Sequence, residues 1–164
     1  MLALARRILI LATIAALLPL GAHAKGQVTV AGGVNLIVFR HADRSGPELN
    51  AAGIARAAAL PAALGGQHID AIYSPEIDRN IDTVLPLATS LGLEIQTIST
   101  FNMPDVLAGL PAGRTVVWVG NKDNLKRLWA RISAPGEPPL NYGDLFIVTF
   151  DGGSPQVDRQ HFGD

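Results

Sequence analysis

The chain has 164 residues, contains no cysteine and carries 13 basic and 14 acidic residues, which give a formal net charge of −1. Without an excess of positive charge it has little to hold a nucleic-acid backbone, and the lack of cysteine excludes disulfides, thiolate nucleophiles and cysteine-based zinc sites. The length suits one well-buried domain better than two.

The first 24 residues have the pattern of a secretory signal peptide. Arg6 and Arg7 precede an apolar run over residues 8–20, and the small-residue pattern Ala22-His23-Ala24 follows. The run is shorter than the roughly 20 residues of a membrane-spanning helix, so a retained anchor is the less favoured alternative. We expect cleavage after Ala24 and a periplasmic or secreted single domain over residues 25–164. This mature chain has 11 basic and 14 acidic residues and no later apolar run of membrane-spanning length.

The first half of the mature chain alternates between strand and helix patterns. Residues 34–39 form a nearly unbroken β-branched and apolar run, which is typical of a strand buried on both faces of a parallel sheet. Residues 49–64 predict a helix that covers the sheet, capped by Asn50 and kinked or interrupted at Pro61. Residues 70–73 then predict a short second strand.

The second half of the chain continues this alternation. Its predicted elements are helices at residues 79–91 and around 125–132, and strands at 93–98, 115–119, 144–148 and 156–161. The last two strands predict a hairpin at the sheet edge. Residues 101–113 and 134–140 are predicted loops. Alternating strands and helices indicate an α/β fold around a mostly parallel sheet.

Charged side chains directly follow the buried strands. Arg40 and His41 come after the first strand, with Asp43 and Arg44 close behind, and Arg79 comes after the second. In open α/β sheets ligands bind beyond the carboxyl ends of the strands, so we expect a shared pocket. Arginines bind phosphate oxygens in fork geometry, and a neutral histidine between them can attack phosphorus. The sequence therefore predicts a phosphate-sized anion pocket suited to phosphoryl transfer.

Three segments of the chain occur in a familiar order and spacing. Leu-Ile-Val-Phe-Arg40-His41-Ala-Asp is a strand followed by Arg-His-Ala-Asp, and Leu49-Asn50-Ala-Ala-Gly-Ile-Ala-Arg-Ala opens a helix. Asp-Ala-Ile-Tyr-Ser-Pro follows at residues 70–75, with Arg79 four residues before Thr83. Together they resemble the histidine phosphatase superfamily, and the similarity covers residues 34 to about 148. The resemblance implies a three-layer α/β/α sandwich with a mostly parallel central sheet, the phosphoglycerate mutase-like fold.

The resemblance implies a role for each matched position. His41 would be the nucleophile that becomes a transient phosphohistidine, and Arg40 and Arg79 would neutralise the phosphoryl oxygens as charge builds. Arg44 would add a phosphate contact or recognise the rest of the substrate. No metal or other cofactor is required. These roles predict a periplasmic phosphatase for a small phosphorylated substrate, with no nucleic-acid partner and no membrane partner after signal cleavage.

Two features depart from the pattern of the family, and the first is that the segment from Ser74 to Arg79 is one residue longer than usual. The second histidine, expected in a Val-Gly-His turn after the fourth strand, is Asn121. An asparagine donates a neutral hydrogen bond to a phosphoryl oxygen but brings no charge, a difference of ~1–2 kcal/mol or roughly 5- to 30-fold in rate. An attenuated phosphatase and an inactive relative that binds a phosphorylated ligand or partner both fit. Asn121 also fits a structural role, because asparagine is among the best helix N-caps.

The general acid is open in the sequence. Asp43 is the first candidate because it lies close to the nucleophile, and the other loop carboxylates are Glu48, Glu76, Asp78 and Asp105.

Simpler interpretations also exist. Arg40 and His41 could satisfy backbone carbonyls, and Arg79 could be an ordinary solvated residue at a helix start. His41 and Asp43 could be metal ligands, although no third ligand is evident. If the chain were an envelope domain without a ligand, the spacing of these residues would need another explanation.

Overall fold

The computed structural model describes residues 26–163, so the predicted signal peptide and its cleavage site lie outside the described residues. Over that part of the chain, no helix combines the length and the apolar character needed to cross a membrane.

The described elements are eight strands and four helices. In chain order they are β1 (Val34–Arg40), β2 (Arg44–Ser45), β3 (Glu48–Leu49), α1 (Ala51–Ala63), β4 (Ala71–Ser74), α2 (Asp78–Leu91), β5 (Ile95–Thr97), α3 (Met103–Gly109), β6 (Thr115–Gly120), α4 (Lys122–Ile132), β7 (Asp144–Phe150) and β8 (Gln156–His161).

Six strands form one mostly parallel sheet in the order β5-β4-β6-β1-β7-β8. β1 runs parallel to β6, β4 runs parallel to β6 and β5, and β7 pairs antiparallel with both β1 and β8. Arg40 lies opposite Gly120 at the ends of β1 and β6. The segments that follow these two strands therefore leave the sheet at the same edge.

Helices cover both faces of the sheet, which confirms the predicted α/β fold. Successive residues of a strand point to opposite faces, so Leu36 and Val38 of β1 pack with apolar residues of α3 and α4. Ile37 and Phe39 pack on the other face with residues of α1 and α2. All four side chains are fully buried, and burying each contributes about 1.5–3 kcal/mol relative to exposure.

The structure differs from the sequence prediction in three local features. The predicted loop at residues 101–113 contains the seven-residue helix α3, which begins at Met103-Pro104. The two-residue strands β2 and β3 form a small hairpin after β1 that no sequence pattern predicts. Pro61 does not interrupt α1 as expected, because it lies in the last turn of a helix that ends two residues later at Ala63. A proline there removes few helical hydrogen bonds.

A close contact fixes the loop after β1 against α1. Asn50 caps α1 by accepting a hydrogen bond from the Gly53 N–H at 2.9 Å, and its own N–H donates to the Asp43 carbonyl at 3.1 Å. A Cβ atom at Gly53 would lie 2.0 Å from that carbonyl oxygen. Only a glycine therefore permits this approach of the helix to the loop.

Candidate active site

His41 is the buried centre of the candidate site. It lies one residue beyond β1, and its backbone N–H donates to the Gly120 carbonyl at 3.0 Å. Only 2% of the surface of His41 is exposed. Its Nδ1 lies 2.8 Å from the carbonyl oxygen of Ala42. A carbonyl only accepts hydrogen bonds, so this contact assigns the ring hydrogen to Nδ1. The lone pair of Nε2 is then available for nucleophilic attack.

The surroundings of His41 keep its ring neutral. Burial is the main cause that lowers the pKa of His41 from 6.5 to about 4. The hydrogen bond to Ala42 opposes this shift, and the positive charges of Arg40, Arg79 and Arg44 add to it. A neutral imidazole is the form that can act as a nucleophile.

We expect the free energy of unfolding to fall as the pH is lowered from about 6.5 to about 4. In this window the unfolded chain protonates His41 and the folded chain does not, so protons favour unfolding. Urea titrations at a series of pH values would measure the slope, and His41→Gln should reduce it. Asp70 has a pKa lowered chiefly by the N–H of Thr115, so its contribution is lost at lower pH. An unchanged slope in His41→Gln would contradict a neutral, buried His41.

Arg40 is held by the loop that precedes β7. Its Nη1 donates to the Leu140 carbonyl at 3.1 Å, and its Nη2 donates to the Tyr142 hydroxyl at 3.0 Å. The Tyr142 ring centroid lies 4.0 Å from the Cζ atom of Arg40. Burial lowers the pKa of Arg40, yet arginine stays charged at neutral pH. The Arg40 Nε is buried with no hydrogen-bond partner among the described residues.

Arg79 lies in the first turn of α2 and approaches the site from the other side. Its Nη2 donates to the Asn121 Oδ1 at 3.3 Å, and its Nε is also buried without a partner in the described structure. Both arginines thus have a buried Nε for which the described residues provide no acceptor.

Two buried polar residues of α2 anchor Arg79 to the ends of the strands. Asn80 Nδ2 donates to the Val119 carbonyl at 3.1 Å. Thr83 Oγ1 accepts from the Ala42 N–H at 3.0 Å and donates to the Arg79 carbonyl at 2.6 Å. Both side chains are fully buried. Neither residue was predicted to have a role, although two polar residues on the buried face of an amphipathic helix are a signal that could have indicated one.

Asn121 combines a structural position with a contact in the site. It is the N-cap residue of α4, and its backbone N–H donates to Asn124 Oδ1 at 2.8 Å. A Cβ atom at Gly120 would lie 2.5 Å from the same Asn124 oxygen, so this turn requires a glycine. The side-chain oxygen of Asn121 accepts from Arg79. Asn121 therefore caps α4 and also contacts Arg79, one of the two arginines of the site.

Asp43 takes part in an ion pair that ties the site loop to the end of the described chain. Its Oδ2 accepts from Arg56 Nε at 2.7 Å. Arg56 Nη1 also donates to the carbonyls of Phe162 and Gly163, at 2.7 and 2.6 Å. The ion pair gives Asp43 a structural role, and its role as the general acid stays a prediction.

Arg44 lies at the margin of the site. Its side chain is exposed on the β2–β3 hairpin and donates a hydrogen bond to the Gly46 carbonyl. Its charge still contributes to the lowered pKa of His41.

The other predicted carboxylates face different parts of the surface. Asp105 pairs with Arg131 at 3.0 Å, near the end of α4 that is remote from the site. Glu48 and Asp78 line a groove between α1 and α2, and Glu76 lines a smaller cavity beyond β5. Among residues 26–163, no group of three or more His, Asp or Glu side chains is placed to hold a metal ion.

One known protein family matches part of the chain. Residues 38–102 match the Histidine phosphatase superfamily (branch 1). The matched region contains Arg40, His41 and Arg79 and ends before Asn121. No protein of curated function matches the chain in sequence.

Solved structures share the fold. The putative phosphohistidine phosphatase SixA from Agrobacterium tumefaciens aligns with a TM-score of 0.57 and 19% identity over 79% of this chain and 97% of its own. The alpha-ribazole phosphatase from Shigella flexneri aligns with a TM-score of 0.60 and 14% identity, over 77% and 96%. The phosphoglycerate mutase from Plasmodium falciparum gives 0.56 and 12%, over 76% and 88%. The sheet and helices thus form the phosphoglycerate mutase-like fold.

Proposed function

From its match to the histidine phosphatase superfamily and its fold, we propose that the chain is a metal-independent phosphatase that hydrolyses a phosphomonoester through a phosphohistidine on His41. The observation that carries this proposal is the neutral, buried imidazole, whose Nδ1 is bonded to Ala42 and whose Nε2 therefore carries the lone pair. Arg40 and Arg79 contribute to its electrostatic surroundings. The signal-peptide pattern of residues 1–24 supports a periplasmic location.

The proposed reaction has two displacements at phosphorus. The Nε2 lone pair of His41 attacks phosphorus, and the leaving oxygen departs with the electrons of the broken P–O bond. The Nδ1 hydrogen bond to Ala42 holds the ring and favours the positive charge that it acquires. Arg40 and Arg79 stabilise the equatorial oxygens. A water molecule then attacks the phosphohistidine, and the N–P electrons return to Nε2.

A phosphoenzyme trap tests the proposed function directly. The mature chain would be mixed with 4-nitrophenyl phosphate and a metal chelator, quenched in alkali and digested, and the phosphorylated peptide would be identified by mass spectrometry. We expect turnover in the presence of the chelator. We also expect the phosphoryl label on the peptide that contains His41 and not on the peptides that contain His68 or His161. Turnover that the chelator abolishes, or a label on another residue, would contradict the proposal.

Asn121→His is expected to raise kcat roughly 5- to 30-fold. An imidazolium at this position would add the charge-assisted hydrogen bond that asparagine lacks. Initial rates with 4-nitrophenyl phosphate measure the effect, with Asn121→Ala as the control that removes the side-chain amide. A lower rate in Asn121→His than in the natural chain would show that the amide suits this site better than a second histidine does.

The second candidate function is a binding protein for a phosphorylated ligand or partner, and the presence of Asn121 favours it. The arginines would then still form an anion pocket, but the protein would no longer hydrolyse the phosphate ester. This alternative predicts that phosphate binds in calorimetry, that the natural chain shows no turnover, and that Asn121→His gains it.

A further inference from the structure

The proposed reaction needs a proton donor for the leaving oxygen, and among the described residues none of the expected carboxylates is hydrogen-bonded to His41 or Arg40. Asp43 and Asp105 are held in ion pairs with arginines. Glu48 and Asp78 line the groove between α1 and α2, and Glu76 lines the cavity beyond β5. The loop before β7 supplies a different acidic group.

We propose that the hydroxyl of Tyr142 is the general acid that protonates the leaving-group oxygen. This inference rests on the proposed phosphatase function. Tyr142 contacts both central groups of the site: its ring centroid lies 5.9 Å from that of His41 and 4.0 Å from the Cζ atom of Arg40. The side chain therefore borders the space where a phosphoryl group must lie to contact the nucleophile and Arg40 together.

The hydrogen-bond pattern leaves the phenolic proton available. The Tyr142 oxygen lies 3.0 Å from Arg40 Nη2, and a guanidinium can only donate, so the hydroxyl is the acceptor in this contact. The O–H of Tyr142 can then donate to a third group. Tyrosine is among the side chains that act as general acids.

Arg40 also favours the state that follows proton transfer. Its guanidinium lies against both the hydroxyl and the ring face of Tyr142, so it stabilises the negative charge left on the phenolate. The same residue thus binds the phosphoryl group and supports the acid.

Every proton and electron pair is accounted for over the two steps. In the first step His41 Nε2 forms the N–P bond, the P–O bond breaks toward the leaving oxygen, and that oxygen takes the Tyr142 proton. In the second step the attacking water gives a proton to the phenolate, its oxygen bonds to phosphorus, and the N–P bond breaks toward Nε2. The products are an alcohol and inorganic phosphate, and both side chains return to their starting forms.

The test compares two substrates of similar size that differ in their need for a proton. 4-Nitrophenolate leaves readily as an anion, whereas the benzyl alkoxide of benzyl phosphate requires protonation. In Tyr142→Phe, which keeps the ring against Arg40, the ratio of kcat/KM for benzyl phosphate to that for 4-nitrophenyl phosphate should fall about 100-fold or more. Tyr73→Phe is the matched control, because it makes the same chemical change in the only other tyrosine of the chain. Its ratio should stay at the natural value.

An unchanged ratio in Tyr142→Phe, with both activities lowered equally, would overturn the inference and leave Tyr142 as a positioning residue for Arg40. A series of aryl phosphates with the natural chain gives a second test that needs no variant. We expect the rate to depend weakly on the acidity of the leaving phenol, and a steep dependence would also overturn the inference. Absence of any turnover that requires His41 would instead overturn the proposed function, and this inference with it.

Discussion

Replacement of His41 by alanine is expected to lower kcat for 4-nitrophenyl phosphate by roughly 10⁴- to 10⁶-fold, to the background rate. The variant lacks the atom to which phosphorus is transferred. The two arginines remain, so phosphate binding should persist while the phosphoenzyme disappears. Stopped-flow release of 4-nitrophenol and calorimetric binding of phosphate measure the two effects separately.

His68→Ala is the matched control for this experiment. The His68 side chain is 86% exposed, contacts Asp70 and precedes β4, so it lies at the sheet edge opposite the site. Its removal should leave kcat within the experimental error. Residual turnover of more than about 1% in His41→Ala would contradict nucleophilic catalysis by this residue.

The sheet and its helices could be predicted because their signals are local. The apolar run that forms β1 and the Gly92 that ends α2 with a φ of 65° are features of neighbouring residues. The helix α3 was missed because its seven residues are too short for a periodic pattern to emerge. Its Met103 and Leu107 are held in place by the core, which is a tertiary effect.

The positions of those site residues that follow directly after strands could be predicted. Parallel strands bring their carboxyl ends to one edge of the sheet, so the strand pattern alone predicts that His41 and Arg79 lie near each other. The partners of these residues were not predictable, because they come from distant parts of the chain. Arg40 and Tyr142 are 102 positions apart, and no local pattern connects them.

Asp43 has a structural partner that its position in the sequence does not indicate. Its closeness to His41 along the chain made it the first candidate for the general acid. In the fold, α1 packs against this loop at Gly53 and brings Arg56 to the carboxylate at 2.7 Å. The ion pair joins the site loop, α1 and the end of the described chain.

Arg79→Ala is expected to lower kcat/KM for 4-nitrophenyl phosphate by roughly 10²- to 10³-fold. The substitution removes a fixed positive charge from the side of the site where Asn121 supplies none. The loss should exceed that of Asn121→Ala, because charge-assisted hydrogen bonds are stronger than neutral ones. Arg79→Lys, which keeps the charge but loses the planar fork, should retain an intermediate activity.

The contact between Arg79 and Asn121 makes a double-mutant cycle informative. If the amide acts by orienting the guanidinium through the 3.3 Å hydrogen bond, the losses of Arg79→Ala and Asn121→Ala will not multiply in the double variant. If Asn121 contacts the phosphoryl group independently, the two losses will multiply. Natural activity in Arg79→Ala would show that Arg79 of α2 takes no part in the reaction. Arg40 would then be the cation on which the proposed chemistry depends.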